Sequence, residues 1–304
     1  MKKTFILLLC SIVLLGAGCI STQAPTADQI KTATDALLLK PSSSFTLKST
    51  VLGLGGIAVD FLGGQSADRV VTLSDWKAGD HVAFKWTLQA KEETQSSIDA
   101  RNAYDTKYKT TPVGTTVPPK PDQQFETKTH AGSLLSSSLA TSHAIFLPMV
   151  WVDGDAGVKG DNGLLWLSSV QYDSLIKTKK TALNLGLFDN SVANAAGVSD
   201  TVQNTLNLLK TGAAEVKNRD DVLSINADQN FGTYTLNVNG TQQTVQTIEA
   251  SNWFGHYSIL ANRDNPLILS VTLSPASTGN LNIFSKENLL NGFPGYQVTS
   301  ITTN

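Results

Sequence analysis

Cysteine is almost missing from this chain: its 304 residues include two, Cys10 and Cys19, and none follows residue 19. Disulfide frameworks, thiolate nucleophiles and cysteine metal sites are therefore excluded from everything beyond that point. Charge is also sparse, at 16% of residues, against about 25% in an average globular protein. The 23 basic and 25 acidic residues nearly cancel to a net charge of -2, so there is no basic excess to displace counterions from phosphates, and a nucleic-acid partner is not expected. The four histidines, His81, His130, His143 and His256, stand apart from one another and form no H-x-x-x-H or H-E-x-x-H, which excludes the zinc-protease pattern. No G-x-S-x-G frames a nucleophilic serine. The glycine-rich stretch Val51 to Gly64 lacks G-x-G-x-x-G and G-K-[ST], so it reads as a glycine-relieved strand or hairpin rather than a phosphate cradle. No catalytic residue, no cofactor and no enzyme activity are expected. What remains is plentiful apolar material, 41% of residues, enough at this length for a sizeable core.

The first nineteen residues carry the strongest pattern. Lys2 and Lys3 precede an apolar run from Phe5 to Leu15, interrupted by Ser11, and Gly16-Ala17-Gly18 places small residues before Cys19. This is the layout of a secretory signal peptide over residues 1–18. An apolar helix of that length rises only about 16 Å, roughly half of the ~30 Å hydrocarbon core, and cannot serve as a stable spanning anchor. Leu15-Gly16-Ala17-Gly18-Cys19 resembles the lipobox of prokaryotic lipoproteins, with Gly16 where that family usually has a large aliphatic residue. The resemblance implies a diacylglycerol thioether on Cys19 and cleavage in front of it. Removal of residues 1–18 would take Lys2 and Lys3 from the 23 basic residues and none of the 25 acidic ones, leaving a net charge of -4 and no polybasic membrane patch. The expected partner is therefore the membrane itself, reached through lipid on Cys19, with the protein exported and held on the outer face of the cell membrane, in the periplasm or on the outer membrane.

The remainder reads as a lipidated tether, 19–25, and a single β-rich domain, 26–304, with an exposed insertion at about 91–131. Thr26 with Gln29 three positions on has the form of a capping box and opens a helix from about Ala27 to Leu39. Val82, Phe84, Trp86, Leu88 and Ala90 alternate with polar residues, the mark of a half-buried antiparallel strand. Residues 91–131 show little apolar periodicity and hold Pro112, Pro118, Pro119 and Pro121, the composition of a linker or exposed insertion. After the apolar run Ala144 to Trp151 come a short helix near Val170 to Lys177, a strand from Thr181 to Phe188, and a helix from Ser199-Asp200 to about Lys210 that Gly212 would stop. Tyr234, Leu236 and Val238 lead into Asn239-Gly240, the strongest two-residue hairpin signal, with a partner strand from Thr244 to Ala250. Trp253 to Ala261 and Leu267 to Leu273 make a second pair, and Tyr296 to Thr302 a closing strand. The fold class expected is mainly β (α+β), a curved antiparallel sheet or half-barrel of hairpins with a few packed helices.

Among candidate sites, Asp153, Asp155 and Asp161 on a glycine-rich loop offer hard oxygen ligands of the kind calcium takes. The EF-hand pattern counted from Asp153 fails at its sixth position, Val158, and its twelfth, Leu164, so metal binding is not expected. Glu249 and Asp264 are carboxylates of the hairpin region whose separation the sequence does not fix. Trp151, Trp166, Trp253 and Phe254 are candidates for an apolar ligand; Trp253 and Phe254, if both in a strand, would face opposite ways. Asn239-Gly240-Thr241 fits the N-x-[ST] acceptor, although a hairpin turn explains it equally. Leu164 to Ser168, Trp253 to Tyr257 and Asn265 to Leu269 resemble segments of uncharacterised secreted prokaryotic proteins, themselves loosely similar to the LolA/LolB lipoprotein-sorting folds. That resemblance spans residues 160–304 and implies a curved antiparallel sheet over helices. Two functions follow as expectations: a lipid-anchored, non-catalytic binding or structural module, or a carrier holding a lipid or other apolar ligand in a half-open sheet.

Overall fold

A computed structural model describes residues 24–50, 68–112, 114–140, 145–146, 154–156, 162–163, 165–183, 210–274 and 295–303. In chain order these form α1 (Ala27–Ala36), β1 (Ser44–Thr50), β2 (Asp68–Lys77), β3 (His81–Glu93), α2 (Gln95–Tyr108), β4 (Phe125–Ser138), β5 (Ile145–Phe146), β6 (Gly154–Ala156) and β7 (Asn162–Gly163). There follow α3 (Ser169–Thr178), β8 (Lys180–Ala182), α4 (Asp220–Leu223), β9 (Ser224–Val238), β10 (Thr241–Ser251), β11 (Gly255–Leu260), β12 (Ile268–Leu273) and β13 (Gly295–Thr302). Eleven strands hydrogen-bond into one sheet in the order β6-β4-β3-β2-β1-β13-β12-β11-β10-β9-β8, and β5 pairs with β7 beside it. The chain is thus mainly β with packed helices, the class read from the sequence.

Most neighbours are antiparallel, but β4 with β6 and β13 with β9 run parallel. The second of these closes a ring: β13 pairs with β12 through Ser270 and Val271 near its start, and with β9 through Asn237 and Val238 near its end. Strands β9 to β13 therefore curl back on themselves. A register shift in the pairing of β13 with β1, next to Thr46 and Leu47, is a bulge of the kind that bends a sheet for such closure.

Local chemistry accounts for the elements. Thr26 and Gln29 form the expected capping box on α1, each side chain bonding the other residue's backbone N–H. The helix ends at Ala36 rather than Leu39, because Leu37 leaves helical geometry and places itself and Leu39 in the core. Ser168 and Gln171 make a second capping box on α3, and Lys179 ends that helix in the left-handed region at φ 60°. In β3, Val82, Phe84 and Trp86 are buried as their alternation requires. Val238 and Thr241 are directly paired, with Asn239 at φ 51° and Gly240 at φ 82° between them, both central residues carrying the positive φ of a type I′ turn.

Residues 91–131, expected as an exposed insertion or linker, hold the end of β3, the fourteen-residue α2 and the start of β4, and α2 and the return to β4 are largely exposed. Two expectations need correction. Gly212 does not stop a helix, since residues 210–215 are helical around it; a Cβ there would lie 3.1 Å from the Trp253 ring, so the glycine makes room for that side chain. Trp253 and Phe254 precede β11 rather than sitting in it. The strand expected at Thr181 to Phe188 is described as far as Ala182, as β8. Val51 to Gly64 and residues 199–209 lie outside the described residues, as does most of Ala144 to Trp151.

Candidate functional site

The buried side of the sheet is closed by the segment leading into α3. Trp166 is 2% exposed and meets Phe45 edge-on at 5.7 Å between centroids, Trp76 at 5.3 Å and Phe84 at 6.3 Å. Its indole Nε1–H donates to Asn265 Oδ1 at 3.1 Å. Phe254 is fully buried, and half-buried Trp253 packs against it edge-on at 5.1 Å. Trp166 and Phe254 are thus packed into the core; Trp151 lies outside the described residues. Asp155 is exposed in β6 and accepts a hydrogen bond from the Ser133 hydroxyl, while Asp153 and Asp161 fall outside the described residues. Among the described residues no three His, Cys, Asp or Glu converge as metal ligands.

Buried Tyr257 and Tyr296 and half-buried Tyr234 have their hydroxyls committed to structure. Tyr234 donates to the Val298 carbonyl at 3.0 Å, Tyr296 to the Ile268 carbonyl at 2.9 Å, and Tyr257 to Asn252 Oδ1 at 3.4 Å. Desolvation raises all three, Tyr234 to about 12, so they remain neutral donors at physiological pH and are not set up as proton-transfer groups.

The opposite side of the sheet is polar, and the strand register shows how. Asp68, Lys48, Gln297, Ser270, Ser258 and Glu249 face one another in turn across β2, β1, β13, β12, β11 and β10. Directly opposed residues share a face, so these six form one continuous polar row. Beside it on the other face run Tyr296, Val271, Tyr257 and Ala250, all buried. Apart from exposed Asp68, every member of the polar row is half-buried. The row ends on Glu249, whose two carboxylate oxygens accept from the Thr247 hydroxyl and, at 2.8 Å, from the Ser258 hydroxyl. Gly232 on β9 completes that corner: a Cβ there would fall 2.6 Å from Glu249 Cγ, so only glycine leaves the carboxylate its place. Glu249 is engaged by hydroxyls, and the row as a whole carries hydroxyl, amide and charged groups. Nothing in the one-dimensional sequence marks it, because its members come from six separate strands.

A second outward feature is the projection β3–α2–β4. Thr94 caps α2 through the Ser97 N–H, Ser97 Oγ donates to Glu93 and accepts from the Gln124 N–H, and the Thr94 N–H bonds the Gln124 carbonyl. These contacts tie both ends of the excursion at the sheet. Asp264 lies in the turn from β11 to β12, where its neighbour Arg263 holds Asp173 of α3 through two 2.8 Å bonds and keeps that carboxyl below its ordinary range. Asn239 spends its side chain on Thr303, donating to its Oγ1 and accepting from its N–H, which gives the Asn-Gly-Thr segment a turn-building role.

Among the described residues no helix is long and apolar enough to cross a membrane. No protein-family model, no curated protein and no solved structure matches this chain.

Proposed function

We propose that this protein is exported and lipid-anchored at Cys19, and that it serves outside the cell membrane as a non-catalytic binding or structural module. The observation that carries the proposal is the order of the first nineteen residues: two lysines, a short apolar run, three small residues and a cysteine with no other thiol behind it. Two features of the fold support it. The capping box fixes the body's first helix at Thr26 and Ala27, so residues 19–25 can act as a tether spanning at most about 25 Å at ~3.3–3.6 Å per residue. The polar row from Asp68 to Glu249 offers a recognition surface of charged, amide and hydroxyl groups drawn from six strands.

The test is fractionation of cells producing the wild type and Cys19→Ser. The wild type should stay with membranes through high-salt and carbonate washing, and Cys19→Ser should be released. Retention of the variant would overturn the proposal, because no other anchor enters it.

A further inference from the structure

Between α2 and β4 the chain carries Thr110, Thr111, Thr115 and Thr116 among Pro112, Pro118, Pro119 and Pro121. The described residues of this segment form neither helix nor strand, and Thr110, Thr115 and Thr116 are exposed with Thr111 half-buried. Its two ends are held and its middle is displayed. At the start, the Thr111 N–H bonds the Tyr108 carbonyl and the Thr115 N–H bonds the Pro112 carbonyl. At the end, the Tyr104 hydroxyl donates to the Pro118 carbonyl at 2.5 Å and Lys120 pairs with Asp105 at 2.6 Å, both on α2. Thr46, Thr178, Thr235, Thr244 and Thr247, by contrast, have hydroxyls bonded to neighbouring groups in their strands or helices. Pro112, Pro118, Pro119 and Pro121 offer no N–H donors, so the segment cannot pair as a continuous ladder strand that would hide those hydroxyls.

We infer that Thr110, Thr111, Thr115 and Thr116 are acceptors for O-linked glycosylation, a step that rests on the exported reading above. The donor is a sugar activated by a nucleotide or polyprenyl phosphate. The threonine Oγ1 attacks its anomeric carbon, the new C–O bond forms as the bond to phosphate oxygen breaks, phosphate leaves with the electron pair, and the hydroxyl proton passes to a base of the transferase. A transferase must draw the acceptor into its own cleft, and this exposed stretch, held by two turn bonds rather than by a helix or ladder, meets that requirement with little unfolding. Glycans here would coat the projection without touching the polar row.

The experiment uses protein isolated from the membranes of its own cells. Trypsin does not readily cut the Lys120–Pro121 bond, so one peptide, Thr110 to Lys128, holds all four threonines. That peptide should appear at masses raised by whole sugar residues, with electron-transfer fragmentation placing them on these threonines. Replacing all four by valine should remove the increments while leaving membrane association and melting temperature unchanged. An unmodified peptide from protein whose Cys19 carries lipid would overturn this inference alone. An unmodified peptide together with an uncleaved, unlipidated amino terminus would overturn the exported reading as well.

Discussion

Asn265 accepts the indole N–H of Trp166 at 3.1 Å, across ninety-nine positions of sequence, and in the same place donates its own amide to the Leu37 carbonyl at 3.1 Å. One fully buried side chain thus joins the aromatic centre of the core to the end of the first helix. Its neighbours extend the junction: Asn262 donates to the Thr34 carbonyl at 2.9 Å, the Pro266 carbonyl accepts from the Leu167 N–H, and Arg263 grips Asp173. The turn from Asn262 to Pro266 is therefore one fastening of α1, the element nearest the proposed tether, to the sheet; the Gln246 N–H of β10, which donates to Thr34 Oγ1 at 2.7 Å, is another.

Asn265→Ala should be strongly destabilising. It strands a buried indole donor and a buried carbonyl acceptor, each costing about 1–3 kcal/mol. Against a total stability of about 5–15 kcal/mol, the melting temperature should fall by several degrees in calorimetry. An unchanged melting temperature would show that the junction adds nothing to the fold.

Gly240→Val isolates a backbone effect. No atom lies within 4 Å of a Cβ at this position, yet φ is +82°. The substitution should cost on the order of 1–2 kcal/mol through left-handed strain alone, lowering the melting temperature by a few degrees without affecting export. Equal stability of wild type and variant would contradict the tight Asn239-Gly240 turn.

How much of this was legible in advance follows from the range of each signal. The capping box at Thr26, the alternation through Phe84 and Trp86 and the Asn239-Gly240 turn were readable because their causes lie within a few residues. Helix α2 was not, since its polar, weakly periodic sequence is held by Thr94 and by a Ser97–Gln124 contact that only tertiary structure supplies. The parallel closure of β13 on β9 depends on strands separated by the whole ring, and no local pattern encodes it. Gly212 was misread for the same reason: what it accommodates, Trp253, is distant in sequence. The polar row was illegible because each strand contributes a single unremarkable residue.

Alkaline pH should expose the buried tyrosines. Burial raises the Tyr234 pKa from 10.0 to about 12, and a folded-state pKa above the unfolded one stabilises fully below pH 10 and is lost as pH rises through the folded value. Unfolding free energy should therefore decline between pH 10 and about 12, and Tyr234→Phe should decline less steeply over that interval in denaturant titrations. Identical slopes for the two proteins would contradict the burial of that hydroxyl.

Limited trypsin digestion of unmodified protein should cut first after Lys109, where α2 gives way to the exposed segment preceding Phe125. Residues 95–108 should survive longer, protected by their helical hydrogen bonds. First cleavage within β9 to β13 would contradict the arrangement of an ordered ring and a displayed segment.

The central claim, anchoring through Cys19, is tested most directly by the intact mass of the protein extracted from membranes. The account predicts a chain that begins at Cys19 and carries a diacylglycerol-type lipid on its sulfur. A chain that retains residues 1–18, or one that begins elsewhere with a free Cys19 thiol, would contradict it.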